Sequence, residues 1–379
     1  MEVNAFIEHL RIKYNYSDEL VSFLKKALPS IIDYYGEQRK DFIFEALDNC
    51  EIHVQKEKED TEQYLNEYFC AEEEYNPPTM VAAGFHHDRL IKTDNGISKK
   101  SIVYLITNNL GIYRPFDFEN KNYMSALIHE LCHAIKGYGK LNIVGNQVIT
   151  SSGLMKHYSI YDEKSGTFVE TGSKNVGLEE ALNSYDEVSI MSMITGKQFE
   201  CTGYATMERL IAQILENNPD LASIIKKSQF SGGDEWIEYL GKENSDFLSE
   251  KFQDLVEITY SNLSADASKQ MRFKIEKRFT AEYCLKLFAE LKIDYETSKK
   301  IYEQAIKSQE LLDMIQREKG KEIDRKLDQY VNIEQATNAM GDLGLYDEEE
   351  KKKKLEELYK EFEEYVEDNP EMSGSKKYK

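Results

Sequence analysis

Hydrophobic residues recur at helical spacing near the start of the chain. Residues 17–36 carry apolar side chains three and four positions apart, which predicts a helix that begins at a Ser17 or Asp18 cap. Residues 37–49 repeat the pattern and predict a second helix. The chain is therefore expected to open with amphipathic helices that share one apolar core.

The period then changes from helical spacing to alternation. Alternating or continuous apolar stretches predict strands at 51–55, 79–90 and 101–107, and the last two are separated by the turn sequence Asp-Asn-Gly at 94–96. A third helix is predicted at 61–70. A small sheet is thus expected just ahead of residue 122.

Helical spacing returns at 122–137, where the chain reads NYMSALIHELCHAIKG. Residues 142–170 contain two alternating stretches and predict a β-hairpin inserted between helices. From residue 178 the pattern is largely helical and includes a charged terminal helix at 347–368. Breaks in this helical region are predicted at 217–219, 231–233 and 341–344.

Composition narrows the class of protein. The chain has 379 residues, a hydrophobic fraction of 41% and 25 tyrosines, which favours a folded globular protein over a disordered one. The net charge of −21 argues against nucleic acid as a partner, because phosphate recognition needs a basic face. No apolar run reaches the length of a membrane span, so no membrane partner is expected.

The five cysteines favour a reducing compartment. They are odd in number, scattered and without a CxxC pair, which is typical of free thiols rather than a disulfide framework. The N-terminus lacks a basic segment followed by an apolar one, as a secretory signal would have. We therefore expect a cytoplasmic location.

The pattern H-E-x-x-H at His129, Glu130 and His133 points to metal chemistry. Residues four apart share one helix face, so His129 and His133 can present two imidazoles to one ion. Glu130 can then reach a water on that ion. The apolar stripe of this helix lies opposite the histidines, so we expect them to face a cleft or solvent. Two surface histidines on an amphipathic helix remain the simpler alternative.

Hydrolytic zinc sites usually have three protein ligands, so a third is needed. A metzincin site is excluded because Lys136 and Gly139 stand where that class has glycine and histidine. The remaining route is a carboxylate on the predicted helix at 177–188, where Glu180 lies opposite the apolar face. Glu180 is the predicted ligand and Glu179 is the alternative. A third possibility is that these acidic residues only stabilise the N-terminus of the helix through its dipole.

HELCH and the later GLEEAL together resemble the gluzincin type of zinc metallopeptidase, within about residues 101–203. Within that group the chain looks like bacterial proteins with HExxH and a later G-L-N-E-[GA] helix. In that pattern the glutamate before the small residue is the third ligand, which matches Glu180 before Ala181. The resemblance implies an α+β fold with a zincin-like core, in which a small mixed sheet adjoins the active-site helices.

The chain departs from that pattern at two positions. Glu179 stands where asparagine is usual, and Ser184 stands where the pattern often has an acid that orients a metal-bound imidazole. Asn183, Asp186 or Glu187 would have to take over that role. These departures therefore weaken the expectation of catalysis more than that of metal binding.

Other chemistry-bearing residues are assigned with less support from the pattern. Tyr204 and His157 are candidates for stabilising an oxyanion, although packing and surface roles are the simpler readings. His86 and His87 are adjacent on a predicted strand and face opposite ways, so only one could line a cleft at the sheet edge. Cys132 lies beside the apolar stripe and is expected to pack in the core.

The resulting hypothesis is a zinc metallopeptidase in which Glu130 takes a proton from zinc-bound water that attacks a peptide carbonyl. The expected partner is a peptide or protein substrate. A catalytically idle zincin-fold binding module, a zinc amidohydrolase acting on a non-peptide amide, and a helical scaffold with an accidental motif remain alternatives. The predicted divisions are an N-terminal α/β portion at 1–100, the zincin core at 101–204, a helical region at 205–345, and a charged helix with disordered tail at 346–379.

Overall fold

The computed structural model describes residues 1–57, 84–94, 96–106, 108–109, 112–113, 115–201, 203–216, 218–259 and 347–368. They belong to two compact units, Met1–Ala212 with Pro219–Lys242, and the described parts of Gln213–Asn218 with Glu243–Lys379. The candidate site lies entirely in the first unit. The domain boundaries given above stay predictions.

Three helices open the first unit: α1 Val3–Tyr14, α2 Asp18–Tyr35 and α3 Lys40–Asp48, the last preceded by a 3-10 turn at Glu37–Arg39. Ser17 caps α2, since its side chain accepts a hydrogen bond from the N–H of Leu20 at 3.3 Å. The two predicted helices are confirmed, and α1 lies ahead of them. Their apolar faces meet in one core that also receives the sheet and the motif helix.

A small mixed sheet follows, as predicted. Its strands are β1 Cys50–Val54, β2 Phe85–Thr93 and β3 Gly96–Leu105, in the order β1-β3-β2. β1 runs parallel to β3, and β2 is antiparallel to β3 at the edge. Two-residue strands β4 Asn108–Asn109 and β5 Ile112–Tyr113 pair separately. The predicted helix at 61–70 lies outside the described residues.

The motif helix is α4 Lys121–Gly137, and the helix with the predicted third ligand is α5 Val176–Thr195. Between them lies a four-stranded antiparallel sheet of β6 Leu141–Val144, β7 Gln147–Ser152, β8 Met155–Asp162 and β9 Thr167–Lys174. The predicted single hairpin is therefore too small. Gly145, Gly153 and Gly166, all at positive φ, lie in the three turns that make a sheet of this segment.

The motif helix is buried almost all round. Every residue from Leu127 to Gly137 is buried, and His129 and His133 are only 5% and 3% exposed. The expectation that the histidines could face solvent is thus wrong. β7 and α5 pack over the polar side of α4, which the hydrophobic pattern of one helix cannot reveal.

Helices continue the chain: α6 Ala205–Glu216, α7 Pro219–Ser231, α8 Glu235–Leu240, α9 Lys242–Thr259 and α10 Glu348–Asp368. The breaks predicted at 217–219 and 231–233 are confirmed, and the break at 341–344 falls outside the described part. The molecule is thus mixed α and β, with small sheets and many helices. Within the described ranges, no helix has both the length and the apolar character needed to cross a bilayer.

Candidate metal centre

His129, His133 and Glu180 converge at one point between α4 and α5. Each offers a ligand atom within 4.8 Å of the others, and this group could hold a metal ion. Nε2 of His129 lies 2.9 Å from Oε2 of Glu180, and Nε2 of His133 lies 3.3 Å from Oε1 of the same carboxylate. Two residues predicted from HExxH thus meet a third from a helix about 50 positions later in the chain.

These separations fit a small dication. Ligand bonds of about 2.0–2.2 Å at tetrahedral angles place neighbouring donor atoms roughly 3.3 Å apart. The nitrogen–oxygen distances of 2.9 and 3.3 Å, each to a different oxygen of Glu180, are of this order. Two imidazoles and one carboxylate also form a donor set that zinc takes in hydrolytic sites.

Glu187 orients the imidazole of His129. Nδ1 of His129 donates to Oε2 of Glu187 at 3.0 Å, and the hydroxyl of Ser125 donates to Oε1 of Glu187. This leaves Nε2 facing Glu180. Glu187 therefore takes the role that Ser184 cannot fill, since the hydroxyl of Ser184 donates to the backbone oxygen of Glu180 at 2.8 Å.

Ser152 does the same for His133. Its hydroxyl donates to the backbone oxygen of His133 at 2.8 Å, so Oγ is left to accept from Nδ1 of the same histidine at 3.2 Å. His133 is thereby held in the tautomer whose Nε2 carries a lone pair. Both imidazoles thus have Nδ1 occupied and Nε2 directed at Glu180.

The buried charges interact strongly. Burial lowers the pKa of His133 to about 4, despite the opposing effect of Glu180, which keeps this imidazole neutral at pH 7. Burial also disfavours the charged form of His129, but hydrogen bonds to Glu180 and Glu187 raise the pKa of His129 well above its ordinary range. For Glu180, the two histidines outweigh burial and hold its pKa below the usual range. Glu180 is therefore ionised and could serve as a metal ligand.

Glu130 lies on the sheet side of the same helix. Its side chain packs closely against Gly84, where an added Cβ would lie 3.0 Å from Cγ of Glu130. The backbone N–H of His86 hydrogen-bonds to its carboxylate, which is 8% exposed as a residue. Burial, and then the carboxylates of Glu180 and Glu187, raise the pKa of Glu130 to about 8. A carboxylate with this pKa can accept and return a proton near neutral pH.

Glu179 is turned away from the three ligand atoms. It accepts hydrogen bonds from the N–H of Leu154 at 2.7 Å and the side chain of Gln229 at 2.9 Å, and Oε1 lies 2.8 Å from Nζ of Lys136. Gly153 makes room for it, because a Cβ there would lie 2.1 Å from Oε1 and φ is +62°. Glu179 is thus not part of the group, and the alternative ligand assignment does not fit the geometry.

Tyr204 lies beside the centre, in the segment before α6. Its ring centroid is 5.7 Å from that of His129. His157, the other candidate for oxyanion stabilisation, lies on β8, where Nδ1 contacts Oε2 of Glu170 at 3.1 Å. Of the two candidates, the structure brings Tyr204 to His129.

His86 also borders the centre from the edge strand β2. Its ring stacks on His133 with centroids 5.9 Å apart and planes 5° from parallel. Nε2 of His86 lies 2.6 Å from Oγ of Ser101. As the next residue of the strand, His87 has its side chain on the opposite face from His86. Burial lowers the pKa of His87 to about 4. The prediction that only one of the pair could approach the site agrees with this arrangement.

Two contributors to the centre have no signal in the sequence. Ser125 and Ser152 act through hydroxyl groups that any exposed serine also carries, and their roles follow from where the helices and β7 meet. Cys132 is buried in the core as expected. Cys50 and Cys201 are likewise free and buried, and the other two cysteines lie outside the described residues.

Comparison of the chain with protein-family models, with curated proteins and with solved structures found no match.

Proposed function

We propose that this protein is a zinc-dependent hydrolase that cleaves peptide bonds. The observation that carries the proposal is the convergence of both Nε2 atoms of HExxH with the carboxylate of Glu180, beside a buried Glu130. Metal and base then lie on adjacent faces of one helix, which is the arrangement that activates water in hydrolytic zinc sites.

The chain's own residues supply the proton transfers. Bound zinc would acidify a water and polarise the carbonyl of the substrate. Glu130 would accept a proton from the attacking water and deliver it to the leaving amine, since it directly follows His129 on the motif helix and its carboxylate is held by the backbone N–H of His86. Tyr204, in contact with His129, is the candidate for donating to the developing oxyanion.

The arrangement of elements also supports a zincin-like core of the gluzincin type. A mixed sheet with an antiparallel edge strand adjoins the motif helix, and the second helix brings the glutamate ligand. Gly84, which directly precedes β2, packs against the side chain of Glu130. An extended peptide could add to this edge by backbone hydrogen bonds, which would bring a scissile bond close to the base.

A catalytically idle zinc protein is the second candidate, and the burial of the site favours it. Glu130 is 8% exposed and both histidines are less exposed than that. A site this closed could serve to hold the fold of a binding module. If this buried site does catalyse hydrolysis, a small non-peptide amide is the alternative substrate.

Glu130→Gln separates these possibilities. The parent protein and the variant would be purified, analysed for metal, and tested on a mixed peptide library and a small amide panel. We expect one zinc per chain in both proteins and hydrolysis of peptides only by the parent. Glu163→Gln, an exposed change at the β8–β9 turn, is the matched control and should cleave like the parent.

Each other outcome has a definite meaning. Equal cleavage by parent and Glu130→Gln would show that the base is wrongly assigned. Zinc in both proteins without any cleavage would favour the idle binding module, and cleavage of the small amides alone would change the substrate class. A parent protein that takes up no zinc on titration contradicts the proposal altogether.

A further inference from the structure

Lys136 is a fully buried lysine that joins the motif helix to the ligand helix. Its Nζ lies 2.8 Å from Oε1 of Glu179 and 3.1 Å from Oδ2 of Asp186. Lys136 and Glu179 are 0% exposed, and Asp186 is 6% exposed. Buried ion clusters contribute little net stability on average, and in several proteins they serve to select one arrangement of the packed elements.

The two carboxylates are held from several further sides. Asp186 accepts hydrogen bonds from the hydroxyl groups of Tyr34 at 2.6 Å and Tyr35 at 2.9 Å, both on α2. Glu179 is held by the turn between β7 and β8 and by α7, as described above. Lys136 is therefore the centre of a hydrogen-bonded cluster rather than one member of an isolated pair.

The spacing along α5 connects this cluster to the metal centre. Glu179 directly precedes the ligand Glu180, and Asp186 directly precedes Glu187, the partner of His129. Residues seven apart lie on one helix face, and neighbouring residues lie about 100° apart around the axis. The two anchors of Lys136 thus share one face of α5, and the two carboxylates of the metal centre share the next face.

The spacing along α4 is matched to this. Lys136 follows His129 by seven positions and His133 by three, so it continues the face that carries both imidazoles. A cation at this point holds α5 at two levels, one beside Glu180 and one beside Glu187. Rotation of α5 about its axis would then break one or both contacts.

We infer that Lys136, with Glu179 and Asp186, is a positioning cluster that fixes the rotation of α5 so that Glu180 and Glu187 reach the histidines. The inference rests on the metal site of the proposed function. It also gives Glu179 a role, because its carboxylate is one of the two that pair with the buried lysine.

Metal affinity of the full chain tests the inference. Zinc dissociation constants would be measured by chelator competition for the parent, Glu179→Gln, Asp186→Asn and Lys136→Met. We expect each isosteric carboxylate variant to weaken zinc binding roughly tenfold, and Lys136→Met to weaken it further, as loss of groups behind metal ligands does. The absorption spectrum of the cobalt-substituted protein should change in the same variants, because the coordination of the ion changes.

Leu10→Ala provides the control for a general loss of stability. Leu10 is 2% exposed in the core on α1 and is not part of the cluster, so this variant should bind zinc and give a cobalt spectrum like the parent. Should Lys136→Met fail to fold, the two isosteric variants decide the question. Parent-like affinity and spectrum in both of them would overturn the positioning role. Zinc binding by the parent without hydrolysis would refute the peptidase and leave this inference standing.

Discussion

Nδ1 of His129 donates a hydrogen bond to Oε2 of Glu187 at 3.0 Å, across the buried interface between α4 and α5. Glu187 stands seven positions after Glu180, whereas the resembling proteins often have the equivalent acid after four. Two turns of helix therefore place Glu187 on the same face of α5 as Glu180, next to His129. The hydroxyl of Ser125 holds the second oxygen of Glu187, so the carboxylate has one orientation.

Replacing Glu187 should weaken the metal site without removing a ligand. Glu187→Gln loses the charged acceptor for Nδ1 of His129, and we expect zinc affinity to fall roughly tenfold to a hundredfold. Glu187→Asp keeps the charge on a shorter side chain, so its zinc affinity should lie between those of Glu187→Gln and the parent. Chelator competition on the full chain measures all three.

Ser184 offers a rescue of this variant. Adding Ser184→Asp to Glu187→Gln restores an acid at the position that the resembling proteins use, and some affinity should return. If Glu187→Gln binds zinc like the parent, the hydrogen bond to His129 does not orient the ligand.

Glu180 should be the decisive carboxylate of the pair at 179 and 180. Glu180→Ala removes a ligand that lies 2.9 and 3.3 Å from the two imidazoles, and we expect zinc affinity to fall by more than about a hundredfold. The measurement is zinc per chain after dialysis, with Glu179→Gln alongside. A larger loss of zinc in Glu179→Gln than in Glu180→Ala would reverse the assignment.

Tyr204→Phe tests oxyanion stabilisation in the proposed reaction. The ring contact with His129 is kept and only the hydroxyl is lost, so we expect kcat to fall roughly a hundredfold while KM and zinc content stay near the parent values. Steady-state kinetics on a cleaved peptide measure this. An unchanged kcat would assign Tyr204 to packing alone.

Lys140 should make the stability of the first unit depend on pH. Burial lowers the pKa of Lys140 to about 7, with Lys136 and Lys99 adding to the effect. The ordinary value in an unfolded chain is about 10.4. Between these two values the unfolded chain binds a proton that the folded chain lacks, so the free energy of unfolding rises with pH.

From pH 7 to pH 9 we expect Lys140 to contribute a rise on the order of 1 kcal/mol to the free energy of unfolding, reduced from the full linkage value because the side chain is partly exposed. Urea unfolding followed by fluorescence of Trp236, the only tryptophan of the chain and 2% exposed, measures it. Lys140→Met should lack this contribution, whereas Glu130 and His129, whose pKa values are raised in the folded chain, lower the free energy of unfolding over this range in both proteins. The same pH dependence in parent and variant would assign the effect to other groups.

Much of the local structure follows from the sequence. The helix from Asp18, its Ser17 cap, the antiparallel pairing of β2 with β3 and the ends of α6 and α7 depend on interactions between residues close in the chain. The pattern at 142–170 predicts one hairpin, whereas the segment contributes to all four strands of an antiparallel sheet. Short strands and their turns give a weak pattern, and their pairing is settled by neighbours in space.

The sequence by itself determined that His129 and His133 share a helix face and that Glu180 lies opposite the apolar face of its own helix, since both follow from 3.6 residues per turn. Which of Asn183, Asp186 and Glu187 would hold an imidazole depended on the rotation and distance of α5 relative to α4. The burial of the histidines and the hydroxyl of Ser152 behind His133 likewise depend on β7 and α5 packing over the motif helix. Those are contacts between segments far apart in the chain, and only the tertiary structure decides them.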